Sequence, residues 1–161
     1  MLILALESSA KAASVALCRD GVLIAQSQQC SGLTHSCTLL PMAEQMLKDT
    51  NIALSYVDAI AVARGPGSFT GVRIGVSTAK GLAWGAQKPA IGVSTLEAMT
   101  RGAAYADGIY CACMDARKQQ IYNAVFSLQA GKLTRLTDDR AIAIDALVPE
   151  LSEGAGPIYL L

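Results

Sequence analysis

Arg64-Gly65-Pro66-Gly67-Ser68-Phe69-Thr70-Gly71-Val72-Arg73-Ile74-Gly75 is the stretch on which the fold turns. It follows a short apolar run, Ala59 to Ala63, that reads as a buried strand. It leads into a glycine- and alanine-rich segment, Val72 to Ala86, that reads as a helix. Glycines and a proline packed this densely make a tight strand-to-helix turn. Such a turn aims backbone N–H groups outward at a helix N-terminus, where an anion can sit. Gly65, Gly67, Ser68, Gly71 and Arg73 are therefore candidates for an anion or nucleotide loop. The spacing excludes a Walker loop: Thr70 stands where the second glycine belongs, and Gly71 is followed by Val72. It also excludes the dinucleotide fingerprint, since Thr70 replaces the third glycine. The competing reading is steric, a sharp turn that lets the helix lie close to its sheet.

Around this stretch the chain reads as alternating strands and helices. Leu2 to Leu6 is an apolar strand, Glu7 to Lys11 a loop, and Ala13 to Cys18 a second strand. Asp20-Gly21 is a hairpin signal, and Val22 to Gln28 completes a meander. Leu39, Met42, Ala43, Met46 and Leu47 form one apolar helical stripe, with Thr34 and Ser36 as cap candidates before it. Pro89 to Val93 is a strand, and Ser94 with Glu97 is a capping-box signal for a helix to about Tyr105.

The pattern then restarts. Ile109 to Met114 ends in Asp115, Ala116 to Gln120 is a polar loop, Ile121 to Ser127 is a strand, and Gly131 marks a turn before Leu133 to Leu136. An acid closes the first strand of each meander, Glu7 in one and Asp115 in the other. A duplicated meander predicts two lobes: a first over residues 1–106, and the start of a second over 107–161 that lacks its closing elements. In a nucleotide cleft Glu7 and Asp115 would orient magnesium-bound water; otherwise they are turn-capping acids.

Of the 161 residues 52% are hydrophobic and 16% charged, and the formal net charge is zero. So little charge favours a surface covered by a partner. Neutrality argues against autonomous nucleic-acid binding. Cys18, Cys30, Cys37, Cys111 and Cys113 show no zinc spacing and read as small buried hydrophobes of a reducing cytosol. The first residues lack the basic start of a secretory signal, and no apolar run approaches the roughly 20 residues of a membrane span. A cytoplasmic protein is expected. His35, the only histidine, can supply neither a triad nor a zinc site alone.

Gly71, Gly75, Ala79 and Ala83, four apart, form a ridge of small side chains. The ridge can face the neighbouring helix, the chain's own sheet or another protein. Both helices are apolar over more of their circumference than one sheet requires. A helical partner interface is therefore expected from Leu39, Leu40, Met42, Met46, Leu47, Val72, Gly75, Val76, Ala79 and Ala83.

Leu2 to Ser9, Thr34-His35-Ser36 with Leu39-Leu40-Pro41, Gly65 to Gly75, Ala79-Lys80-Gly81-Leu82-Ala83 and Asp115 to Lys118 with Ile121-Tyr122 together closely resemble the bacterial TsaB (YeaZ) family. The resemblance implies an actin-like (ASKHA, RNase H-like) fold of duplicated βββαβαβα lobes. It implies an accessory, non-catalytic role in making N6-threonylcarbamoyladenosine at position 37 of tRNAs reading codons that begin with A. It implies a heterodimer with the catalytic paralogue TsaD, a complex joined by the ATPase TsaE, and a homodimer in isolation. ATP and magnesium then belong to the full complex, this subunit alone holding no cofactor, and tRNA is met only through that complex. TsaD proteins carry a His-x-x-x-His metal pair where Thr95 and Met99 stand here, which argues against TsaD-type catalysis and against a peptidase. The alternative is an autonomous actin-like nucleotide-binding protein or ATPase.

Overall fold

The computed structural model describes residues 1–152 and 157–161, with the side chain of Ser152 undescribed. It divides into two units, Met1–Val93 and Ser94–Leu161.

The first unit begins with β1 (Leu2–Glu7), β2 (Ala13–Arg19) and β3 (Val22–Gln29), followed by α1 (His35–Asp49). A single 3-10 turn, Leu54–Tyr56, leads to β4 (Ala59–Ala63), α2 (Phe69–Ala86) and β5 (Ala90–Val93). The sheet order is β3-β2-β1-β4-β5. β1, β2 and β3 are antiparallel, whereas β4 joins β1, and β5 joins β4, in parallel. Alternate side chains of β1 and β2, namely Leu2, Leu4, Leu6, Ala13, Val15 and Leu17, form the core with the helices. This is the period-two burial of a sheet covered on one face by helices. The α1 stripe behaves as its spacing requires. Leu39, Ala43 and Met46 are buried, and Met42 and Leu47 pack at the margin. Thr34 holds the N-cap position, but its hydroxyl pairs with Ser36 Oγ at 3.0 Å rather than with a helix N–H.

The second unit holds α3 (Thr95–Ala103), β6 (Gly108–Arg117), β7 (Gln120–Gln129), β8 (Lys132–Arg135), β9 (Arg140–Ala143), α4 (Ile144–Ser152) and β10 (Ile158–Leu160). Its order is β10-β6-β7-β8, with β9 also on β7. β6 pairs antiparallel with β7, β7 with β8, and β10 lies parallel to β6. β8-β7-β6-β10 thus repeats β3-β2-β1-β4 strand for strand and direction for direction, the duplicated actin-like arrangement. One face packs Tyr110, Ala112, Ala124 and Phe126 with Leu96 of α3; the other packs Cys111 and Val125 with Leu147 of α4.

Two boundaries differ from expectation. The units divide at Val93 rather than after residue 106, because Leu96 of α3 sits in the second core. α2 begins at Phe69, not Val72, because Ser68 caps it and accepts from the Gly71 N–H at 3.3 Å. A segment rich in glycine looked like loop; capping carries it into the helix.

Cysteine burial is uneven. Cys111 is buried, Cys18 and Cys113 half-buried, and Cys30 and Cys37 exposed. Burial, with Cys113 beside it at 3.6 Å, pushes the Cys111 thiol up to about 12. No helix among the described residues is long and apolar enough to cross a membrane.

Candidate functional site

The glycine stretch is built against the β1–β2 connection. Ser8 and Ser9, just beyond β1, are both buried. Ser8 Oγ donates to the Gly71 carbonyl at 2.8 Å, and the Ser68 N–H donates to the Ser9 carbonyl at 2.7 Å. The glycines exist for this approach. A Cβ on Gly71 would stand 2.0 Å from the Ser8 carbonyl oxygen, and one on Gly67 2.6 Å from Ser9. A Cβ on Gly75 would stand 2.4 Å from Ser8 Oγ. No real side chain tolerates such distances, so the spacing Gly67, Gly71, Gly75 is a groove along one side of α2 into which a chain segment fits. Gly67 also holds φ +156° and Gly65 φ +102°, backbone that favours glycine.

Other motifs converge here. Glu7 Oε1 accepts from the Ser9 N–H, which turns the chain at the end of β1. His35, opening α1, donates through Nε2 to the Ala10 carbonyl at 2.8 Å. Glu7-Ser8-Ser9, Thr34-His35-Ser36 and the glycine stretch, far apart in sequence, therefore form one assembly. The Arg73 guanidinium lies over the Phe69 ring at 5.1 Å. The Arg64 side chain runs along Gly92, where a Cβ would stand 3.1 Å from its Cδ.

This geometry bears on a phosphate. Two loop N–H groups, those of Ser68 and Gly71, already have partners, the Ser9 carbonyl and Ser68 Oγ. A phosphate taking the Ser68 N–H would have to displace the Ser9 carbonyl, and one taking the Gly71 N–H would have to displace the Ser68 cap. Asp115 lies in the second unit, where Asp115 Oδ1 accepts from the Arg117 N–H at 2.7 Å. Glu7 and Asp115 thus make the same turn contact, each accepting from the N–H two residues on.

The interface residues sort by burial. Leu39, Met46, Gly75, Ala79 and Ala83 are buried in the first unit. The small ridge faces the chain's own sheet, as the Gly75–Val62 approach shows, so these five present no surface to a partner. Leu40 is exposed, and Met42, Leu47, Val72 and Val76 are half-buried. Outside those ten residues, but on the same helix, stands Trp84, 86% exposed. It stands among Gly81, Gly85 and Gln87, where a Cβ added to either glycine meets nothing. The signal was present: Gly81 and Gly85 lie off the four-residue ridge, so no internal contact accounts for them.

In the second unit, Thr95 and Met99 lie one turn apart on α3; Thr95 is buried and Met99 packs on the core. Beside them Ser94 Oγ donates to Asp139 at 2.9 Å, and Arg135 bridges Asp139 and Glu97 at 2.7 and 3.2 Å. Hydrogen bonding from Arg101, helped by Arg135 and opposed by burial, holds the Glu97 carboxyl below its usual range. Among the described residues no three His, Cys, Asp or Glu side chains converge as a metal site.

Residues 28–157 match the family model of TsaD, tRNA N6-adenosine threonylcarbamoyltransferase. A Bacillus subtilis protein named tRNA threonylcarbamoyladenosine biosynthesis protein TsaB is 34% identical over the whole chain, which spans 70% of that relative. The Escherichia coli protein of the same name is 39% identical over 93% of this chain and 65% of its own length. A Pseudomonas aeruginosa structure described as similar to peptidase YEAZ superposes with TM-score 0.86 at 32% identity, covering 99% of this chain and 74% of that one. Sequence identity over nearly the whole chain and the close superposition agree, and the chain belongs to the TsaB (YeaZ) family of tRNA threonylcarbamoyladenosine biosynthesis proteins.

Proposed function

We propose that this chain is a non-catalytic subunit of tRNA threonylcarbamoylation, acting by binding a TsaD-type paralogue and organising it with TsaE. Its complex modifies adenosine 37 of tRNAs reading codons that begin with A, in the cytoplasm. ATP and magnesium act in the assembled complex, and tRNA is reached through it. In isolation two copies pair by the same surface. The observation that carries this reading is Trp84 standing 86% exposed between two helical glycines that serve no internal contact. Each such glycine costs a helix roughly 1 kcal/mol relative to alanine. A tryptophan flanked by flat backbone is the pattern of an interface anchor, which binds and admits a partner's side chains on either side. Lack of charge and the pairing of the Ser68 and Gly71 amides within the chain support a binding role over an ATPase.

The test is titration of the purified chain with its TsaD paralogue. Trp84→Ala is expected to weaken the heterodimer by a factor of about 30 or more, the loss of about 2 kcal/mol typical of an anchor. Its circular dichroism and melting should stay unchanged. Unaltered affinity in a folded Trp84→Ala variant would place the interface elsewhere.

A further inference from the structure

β3 is an edge strand, and beside it lies a groove of about 460 Å³ between β3 and α1. The two ends of β3 differ. A register shift opposite Leu17 and Cys18 leaves Ile24 out of the pairing, so Val22–Ile24 is bulged. A bulge protects an edge from strand addition. From Ala25 to Gln29 the pairing is regular, with neither charge nor proline, and none of the usual protections is present. The groove follows that same regular stretch. Ala25, Ser27 and Gln29 form one wall, and Cys37, Pro41 and Met42 of α1 the other. Thr38 lines it too. This residue is 6% exposed, and its Oγ1 has no hydrogen-bond partner. A buried hydroxyl without a partner costs about 1–3 kcal/mol, and this one lies beneath the groove floor.

We infer that this edge and groove form a docking site for an extended segment of a partner protein, which adds as a strand to Ala25–Gln29. Only an extended backbone satisfies a strand edge, which excludes a helix as occupant. Alternation along the added strand sends every second side chain toward α1, into the wall of Pro41 and Met42; those side chains are apolar. Among the described residues the one charged side chain lining the groove is Asp49, already accepting from Gln45 Nε2 at 2.7 Å. The segment therefore carries Lys or Arg at the Asp49 end and no acid. A second copy of this chain is a poor occupant. Its own regular stretch would turn Ala25, Ser27 and Gln29 toward the groove, small or polar side chains with no base among them.

The probe is a phage library of random octapeptides selected on the purified full chain, followed by a synthetic peptide of the enriched sequence. Enriched peptides should alternate apolar residues and carry a base at one end. Bound peptide should slow amide exchange across Ala25–Gln29. Ser27→Lys should abolish binding with the fold intact. No enrichment, peptides without alternation, or binding indifferent to Ser27→Lys would overturn the inference. So would a homodimer that Ser27→Lys dissociates, which would make the occupant a second copy.

Discussion

The β1–β2 and β6–β7 connections occupy the same place in two meanders of the same strand order, yet they are built differently. Each follows an acid whose carboxylate accepts from the N–H two residues on. After Glu7 the chain makes a five-residue loop, 8–12, whose serines enter the side of α2. After Asp115 the strand continues to Arg117 and turns through Lys118 and Gln119, all three at positive φ. The shared acid therefore makes the same turn contact in both units. What distinguishes the first unit is the seat on α2, and the glycines at 67, 71 and 75 are its steric requirement.

The largest effects should come from filling that seat. Gly71→Ala puts a methyl group 2.0 Å from the Ser8 carbonyl oxygen, which is backbone and cannot rotate away. It is expected to destabilise by about 3 kcal/mol or more in urea denaturation, the scale of severe overpacking. Gly81→Ala on the same helix meets nothing, and should stabilise by up to about 1 kcal/mol through helix propensity. Equal effects at the two sites would remove the distinction between seat and surface. Ala79→Asp buries a carboxylate on the small ridge and should prevent folding, whereas Trp84→Asp should fold and lose only its partner.

Smaller effects sharpen the other side of the comparison. Lys118→Gly relaxes a left-handed backbone and should raise stability by about 1 kcal/mol in thermal melts. The same substitution at Lys11, in the seated loop but away from its contacts, should give no such gain. In the second unit the Glu97 carboxyl is held down in the folded state by Arg101 and Arg135. Its contribution is therefore present above the unfolded carboxylate range and lost as pH falls through the lower, folded value. Acid titration of stability should show a loss there that Glu97→Gln reduces.

Local patterns in the sequence located most of the architecture. The apolar runs of β1, β4 and β6, the Asp20-Gly21 turn and the Leu39–Leu47 stripe all depend on neighbours within a few residues. The site was less legible because its partners are remote. Gly71 is explained by Ser8, 63 positions away, and no local rule separates a glycine that admits a phosphate from one that admits a serine. The ridge Gly71-Gly75-Ala79-Ala83 was visible, but its direction was not: spacing defines a face without saying whether sheet or partner covers it. The same holds for residues 94–106, where capping located a helix and only packing assigned it to the second unit.

The central claim is that the glycine stretch is a seat for the Ser8–Ser9 segment. Ser8 and Gly75 test it most directly, because the obstruction there is a side-chain oxygen that mutation can remove. The measurement is a double-mutant cycle of Ser8→Ala and Gly75→Ala by urea denaturation. Ser8→Ala alone loses the bond to the Gly71 carbonyl, about 1 kcal/mol. Gly75→Ala alone forces the methyl group against Ser8 Oγ. Together the collision disappears, and the double variant should be more stable than the sum of the single losses by about 1 kcal/mol or more. Additivity within about 0.3–0.5 kcal/mol would mean that the two positions do not touch in solution, and the seat would not exist.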